Sequence, residues 1–116
     1  MRREARRLAL TLGFDPTAAE EIALAVSELA TNVLRHAHDG VVTIAPVARP
    51  RVGLRVESRD AGPGIADLHL ALEDGFSTTG SLGGGLGAAR RLMDDFEIAS
   101  GPSGTRIVAH KWLPER

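Results

Sequence analysis

The chain has 116 residues, of which 43% are apolar and 25% charged, with a formal net charge of −1. That length fits one domain with a single modest core, and the near-neutral charge supplies no long-range field for nucleic acid or anionic lipid. Cysteine is absent, which removes disulfides, thiolate metal sites and cysteine nucleophiles and is compatible with a reducing cytosol; no apolar run approaches the ~18 residues of a membrane span, and no signal-peptide pattern opens the chain.

Residues 2–12 are predicted as a short helix, with Leu8 and Leu12 four apart. Arg2, Arg3, Arg6 and Arg7 form its one basic cluster, interrupted by Glu4, and read as a solvated helix face. Gly13-Phe14-Asp15-Pro16 ends this helix. Asp15 is a good N-cap and Pro16 suits a first helical position, so a second helix starts there. Its apolar residues Ile22, Ala25, Val26, Leu29, Ala30, Val33 and Leu34 recur at three- and four-residue steps, which predicts one buried face. Asp39-Gly40 stops it.

Residues 41–44 are a β-branched run and read as a strand, with Pro46 arguing for an edge position or an early end. A turn is expected over residues 48–51. Residues 52–59 alternate, with Val52, Leu54 and Val56 on one face and Arg55, Glu57 and Arg59 on the other, the pattern of a half-buried strand. Asp60-Ala61-Gly62-Pro63-Gly64 follows as a loop, and residues 67–73 are predicted as a short helix. Residues 74–87 hold six of the thirteen glycines and read as a loop too glycine-rich for helix or strand. A helix is expected from about Leu86 to Asp95, with Ala89, Leu92, Met93 and Phe96 facing inward. Residues 96–100 and 105–113 read as two strands joined by the turn Gly101-Pro102-Ser103-Gly104. Phe76 and Trp112 are expected in the core. The fold class that results is α+β, a two-layer sandwich of a mostly antiparallel sheet with helices on one face.

Three stretches carry chemistry. Glu28, Asn32 and His36 are four apart on one helix face, which borders the apolar stripe. The carboxylate and amide are hard oxygen donors suited to Mg²⁺; a solvated rim gives the same pattern. Asp60, at a strand end, offers an acceptor for an exocyclic amine such as that of adenine, with glycines that let a flat ligand approach; the same sequence also makes an ordinary turn. The glycines of residues 80–87 precede a helix and suit phosphate. Gly83-x-Gly85-x-x-Ala88 matches the dinucleotide fingerprint only loosely, lacking its strand and its acid, and no Gly-Lys-Ser/Thr of a Walker A motif occurs. His36 suits a phosphate contact, a helix cap or a structural role. Ser77, Thr78 and Thr79 suit phosphate contacts or plain loop positions. His38, His69 and His110 are isolated and form no metal set.

In order and spacing together, these stretches resemble the GHKL (Bergerat-fold) ATPase superfamily over essentially the whole chain. Glu28-Leu29-Ala30-Thr31-Asn32 resembles its N box, Asp60-Ala61-Gly62-Pro63-Gly64 its G1 box, Gly83-Gly84-Gly85-Leu86-Gly87 its G2 box and lid, and Gly104-Thr105 its final glycine–threonine element. Glu73-Asp74-Gly75-Phe76-Ser77-Thr78, Arg91-Leu92-Met93-Asp94-Asp95-Phe96 and His110-Lys111-Trp112-Leu113 narrow the resemblance to anti-sigma-factor serine/threonine kinases, most closely the RsbT-type switch kinases of the stressosome. The family begins with a strand before its first helix, and this chain starts inside that helix.

The resemblance implies a Bergerat fold over residues 1–116 and a cytoplasmic ATP-dependent kinase. Its substrate would be a serine or threonine of a STAS-domain partner, in a circuit with a sigma factor or a PP2C-type phosphatase. Asn32 would coordinate Mg²⁺ on ATP, and Glu28 would act as general base. Asp60 would accept from the adenine amine with help from Thr105, and Gly62 and Gly64 would keep the pocket floor clear. Gly83, Gly85, Leu86 and Gly87 would form the lid over the phosphates. An ATP-binding partner-switch module with little turnover is the alternative; a histidine-kinase catalytic domain is disfavoured by the absence of a phospho-acceptor helix.

Overall fold

The computed structural model describes residues 1–36, 39–62 and 85–114. Helix α1 (Arg2–Leu12) ends at Gly13, whose φ of 107° is left-handed. Gly13 N–H donates to Leu10 O and Phe14 N–H to Ala9 O, at 3.1 and 3.0 Å, so the last carbonyls of α1 are satisfied by a Schellman turn. Helix α2 (Pro16–His36) opens as predicted: the Asp15 carboxylate accepts from Ala18 N–H at 2.7 Å. Arg6 and Glu20 clasp α1 to α2 across their exposed sides, and this bond holds the Glu20 carboxyl below its ordinary range.

Strands β1 (Gly40–Val47), β2 (Gly53–Asp60), β3 (Asp95–Gly101) and β4 (Gly104–Trp112) form one antiparallel sheet in the order β1-β2-β4-β3. Helix α3 (Gly85–Leu92) precedes β3. The helices cover one face of this sheet. Ala5 and Ala9 of α1, Ile22, Val26, Leu29 and Val33 of α2, and Leu86 and Ala89 of α3 share a core with Val42, Leu54, Val56, Ile107 and Ala109 of the strands. No helix among the described residues is long and apolar enough to cross a membrane.

Several expectations change. Leu34 belongs to the predicted stripe but is 81% exposed. Val33 already fills the contact with the sheet, since a Cβ on Gly40 would lie 2.2 Å from its Cγ1, and one residue further the helix has turned about 100° away. Pro46 marks an edge strand but not an early end, because β1 continues to Val47 in register with Gly53. Val52 lies ahead of β2 and is exposed; its carbonyl accepts from Leu113 N–H, and the buried face of β2 runs Leu54, Val56, Ser58 instead. Trp112 is on the outer, helix-free face. It stacks on His110 with ring centroids 4.8 Å apart, donates Nε1–H to Asp95 at 2.7 Å and covers Gly53. The helix expected from about Leu86 opens one residue earlier, at Gly85, and is anchored by buried Leu86 and Ala89, so Gly87 belongs to it and not to the preceding loop. The expected helix over residues 67–73, the loop over residues 74–84 and Phe76 lie outside the described residues.

Candidate functional site

The strand register lines up one residue from each strand at a single end of the sheet, on its helix-facing side. Gly40 pairs with Asp60, Asp60 with Thr105, and Thr105 with Ser100. The next two rows inward are Val42–Ser58–Ile107–Ile98 and Ile44–Val56–Ala109–Phe96. A largely apolar sheet face thus ends in a polar row.

That row is rigidly set. Asp60 Oδ1 accepts from Gly62 N–H at 2.9 Å. An ionised carboxylate has about four acceptor sites, so this bond fixes the group and leaves capacity for a ligand donor. The hydroxyls of Thr105 and Ser100 are 2.7 Å apart and hydrogen-bonded, and Thr105 is buried. Gly104 has φ 138°, and a Cβ there would sit 2.0 Å from the Asp60 carbonyl oxygen. Only glycine permits that approach, which keeps β4 pressed against the end of β2.

Helix α2 supplies the second half. Glu28 is buried and accepts from Gly85 N–H at 3.2 Å through Oε2, across 57 positions of sequence. Gly85 has a left-handed φ of 68°, at the amino end of α3, where backbone N–H groups and the helix dipole favour negative charge. Asn32 lies one turn beyond Glu28 and is half-buried. Val33, its neighbour, contacts the Gly40–Asp60 end of the sheet, as the Gly40 geometry requires. From Glu28 to Val33 the helix advances about 7.5 Å. The stretch of α2 from Glu28 to Val33, with Asn32 between them, therefore runs from the amino end of α3 towards the Asp60 row.

Of the expected site residues, Glu28 and Asn32 fall on α2, Gly85, Leu86 and Gly87 on α3, and Asp60 and Thr105 in the polar row, while Gly62 lies two residues past Asp60 and donates its N–H to that carboxylate. Leu86 and Gly87 are buried in α3. Gly64, Gly83 and the side chain of His36 lie outside the described residues, as do His38, His69, Ser77, Thr78 and Thr79. His110 lies on the outer face, stacked against Trp112. Ser100 was not read from the sequence. Its signal is symmetry: Ser100 and Thr105 each lie one residue outside the glycines that close the hairpin.

The opposite face of the sheet has a different character. Arg106 donates to Glu57 at 2.6 Å, and Arg55 and Arg59 lie 3.5 and 3.9 Å from the same carboxylate. The Arg106 hydrogen bond, ahead of the surrounding positive charge, holds the Glu57 carboxyl below its ordinary range. A groove of about 530 Å³ lined by Met1, Arg2, Arg3, Glu4 and Arg7 shares no residue with the candidate site.

A model described as the histidine kinase-like ATPase domain matches residues 1–111. The chain belongs to this family. Within the histidine kinase-like ATPases it is 46% identical over 110 residues to the serine/threonine-protein kinase RsbT of Bacillus subtilis (strain 168), covering 93% of this chain and 83% of that relative. It is 32% identical over 108 residues to the anti-sigma F factor of Caldanaerobacter subterraneus subsp. tengcongensis, covering 85% of this chain and 75% of the relative. Among solved structures, the histidine kinase domain from the Erythrobacter litoralis EL346 blue-light activated histidine kinase superposes with a TM-score of 0.60 at 24% identity, over 94% of this chain and 61% of that one, a likeness of fold alone. The longer Erythrobacter litoralis EL346 chain gives a TM-score of 0.62 at 30% identity, and this chain spans 31% of it. The α+β class, with helices on one face of an antiparallel sheet, is thus the fold of an ATPase family.

The residues present fit ATP. The Asp60–Thr105 pair sets a carboxylate acceptor beside a hydroxyl, groups of the kind that pair with the edge of a base. Among the described residues no three His, Asp or Glu side chains gather as a metal-ligand set. A divalent ion here would lean on few protein oxygens and on phosphate and water, which is the habit of Mg²⁺.

Proposed function

We propose that the chain is a serine/threonine protein kinase, one domain over residues 1–116, acting in the cytoplasm on a STAS-domain protein and thereby regulating a sigma factor or a PP2C-type phosphatase. The observation that carries the reading is the meeting of Glu28 with the amino end of α3, 3.2 Å from Gly85 N, in a chain 46% identical to a serine/threonine-protein kinase.

In this reading Asp60 accepts from the adenine amine, and Thr105 meets the neighbouring ring nitrogen directly or through one water. Gly62 keeps the floor open, and Gly64 is assigned the same role from the motif alone. The amino end of α3, with Gly85 and Gly87, takes the phosphates; Leu86 serves that end by anchoring it in the core, and Gly83 is assigned to the same glycine-rich stretch. Asn32 holds Mg²⁺, which neutralises phosphate charge when bound. Glu28 takes the proton from the partner's hydroxyl as its oxygen bonds to the terminal phosphorus and the bond to ADP breaks. Phosphoryl transfer asks mainly for positioning and charge neutralisation, so this short set is sufficient.

The likeness to anti-sigma F factors supports a second reading, an ATP-dependent binding module with little turnover. Glu28→Gln separates the two. The kinase reading expects phosphate transfer to a STAS partner to fall at least about 100-fold, with ATP binding and partner binding retained. Undiminished transfer would remove Glu28 as the base. A wild-type protein that binds both ligands and transfers nothing would leave the binding module.

A further inference from the structure

We propose that Ser100 is a positioning residue of the adenine subsite, holding the Thr105 hydroxyl so that its hydrogen points at the ring nitrogen beside the adenine amine. The inference rests on the reading of Asp60 and Thr105 as the base-binding pair and extends it to a residue on a third strand.

The two hydroxyl oxygens are 2.7 Å apart, so one hydrogen lies between them. A threonine hydroxyl alone can rotate to donate or to accept. When Ser100 donates, one Thr105 lone pair is occupied and the Thr105 hydrogen is directed elsewhere. The register puts Asp60 directly on the other side of Thr105. A base whose amine donates to Asp60 presents its adjacent ring nitrogen, an acceptor, next to Thr105. The chain Ser100→Thr105→ring nitrogen then has each hydroxyl donating once, the arrangement in which successive bonds polarise one another favourably.

Packing alone does not explain the pair. The other inner cross-strand pairs of β3 and β4 are Ile98–Ile107 and Phe96–Ala109, both apolar. Thr105 is 6% exposed, a position where valine would fill the same volume without a hydroxyl to satisfy. The one hydroxyl–hydroxyl pair between these strands stands in the row of Asp60, at the end of the sheet that α2 reaches through Val33.

The test is a cycle between protein and nucleotide. Dissociation constants for Mg·ATP and for Mg·1-deaza-ATP, which lacks the ring nitrogen beside the amine, are measured by calorimetry on wild type, Ser100→Ala and Ser100→Thr. Wild type should lose about 2- to 10-fold on removal of that nitrogen, the span of one net hydrogen bond. Ser100→Ala should bind ATP about 2- to 10-fold more weakly and lose little more on 1-deaza-ATP, while Ser100→Thr should restore the wild-type pattern. Melting of the unliganded variants checks the fold. Should the alanine variant fail to fold, Ser100→Cys keeps the volume with a weaker donor and is read the same way.

An equal ATP-to-1-deaza-ATP ratio in wild type and Ser100→Ala overturns the proposal and makes Ser100 a strand-pairing residue only. So does a wild type indifferent to the nitrogen. GTP and Asp60→Asn then report separately on the base site. A wild type that prefers ATP to GTP, with the preference lost in Asp60→Asn, leaves the adenine reading standing without Ser100. A wild type that binds ATP and GTP alike removes both.

Discussion

Gly104 has φ 138°, and a Cβ added there would lie 2.0 Å from the Asp60 carbonyl oxygen and 3.1 Å from Ala61 Cα. Gly104→Ala therefore meets backbone strain and a backbone clash together. Each falls in the range of about 1–3 kcal/mol, so urea denaturation should show a loss of at least about 2 kcal/mol. Relief of the clash pushes β2 and β4 apart at Asp60, and nucleotide affinity should fall as well. A variant of wild-type stability would mean that the hairpin end yields without cost. Single residues were the most legible scale of this protein. Asp60, Gly62 and Thr105 stand out in local motifs that carry the roles proposed for them, and Asp15 announces its cap by the proline and helix that follow. Ser100 went unread although the hairpin turn was legible, because it gains meaning only from the partner that the register gives it, Thr105.

The outer face of the sheet shows what alternation did and did not reveal about the elements. Residues 106, 108, 110 and 112 share one parity in β4, so Trp112 joins Arg106 and His110 on the helix-free side. Reading Trp112 as core followed its size and ignored that parity. In β2 the alternation was read correctly for Arg55, Glu57 and Arg59, and with Arg106 they assemble around one carboxylate. Helix α2 was legible through Val33 because its stripe keeps period, and failed at Leu34 because one residue past Val33 the helix has turned about 100° away from the sheet. The Glu57 cluster gives this face a pH dependence. Its carboxyl is held below 4.5, chiefly by the Arg106 hydrogen bond. A carboxyl depressed on folding stabilises fully above its unfolded value near 4.5, and that contribution is lost as pH falls through the lower folded value. Glu57→Gln should therefore be less stable than wild type at neutral pH, by a small margin because the arginines around the carboxylate are well exposed to water. The two urea midpoints should converge as pH drops below 4.5. A gap that stays constant through that range would assign the difference to packing.

At the scale of the whole molecule, the candidate site belongs to no single element. The Asp60–Thr105–Ser100 row is on the sheet, Glu28 and Asn32 are on α2, and Gly85 opens α3. The separate motifs were visible in sequence because each is contiguous. Their convergence was expected only through the family resemblance, because the Glu28–Gly85 contact spans 57 positions and exists only when α3 packs on the core through Leu86 and Ala89. A ligand held by three elements binds the folded state alone, and its binding energy is added to folding stability. At a Mg·ATP concentration 100 times its dissociation constant, that addition is about 2.7 kcal/mol, which raises the melting temperature of a domain this size by roughly 10 °C. Asn32 is the one residue proposed to tie the metal to the protein, so it decides how much of this shift depends on Mg²⁺. In wild type, replacing Mg²⁺ by EDTA should remove most of the shift. In Asn32→Ala the shift should be small and the same with either addition, while the unliganded variant melts within about 2 °C of wild type, as expected for a half-buried polar side chain outside the core. A full Mg²⁺-dependent shift in Asn32→Ala would move the metal to another ligand. A wild-type shift of equal size in Mg²⁺ and EDTA would mean that the nucleotide is held by base and backbone contacts without it.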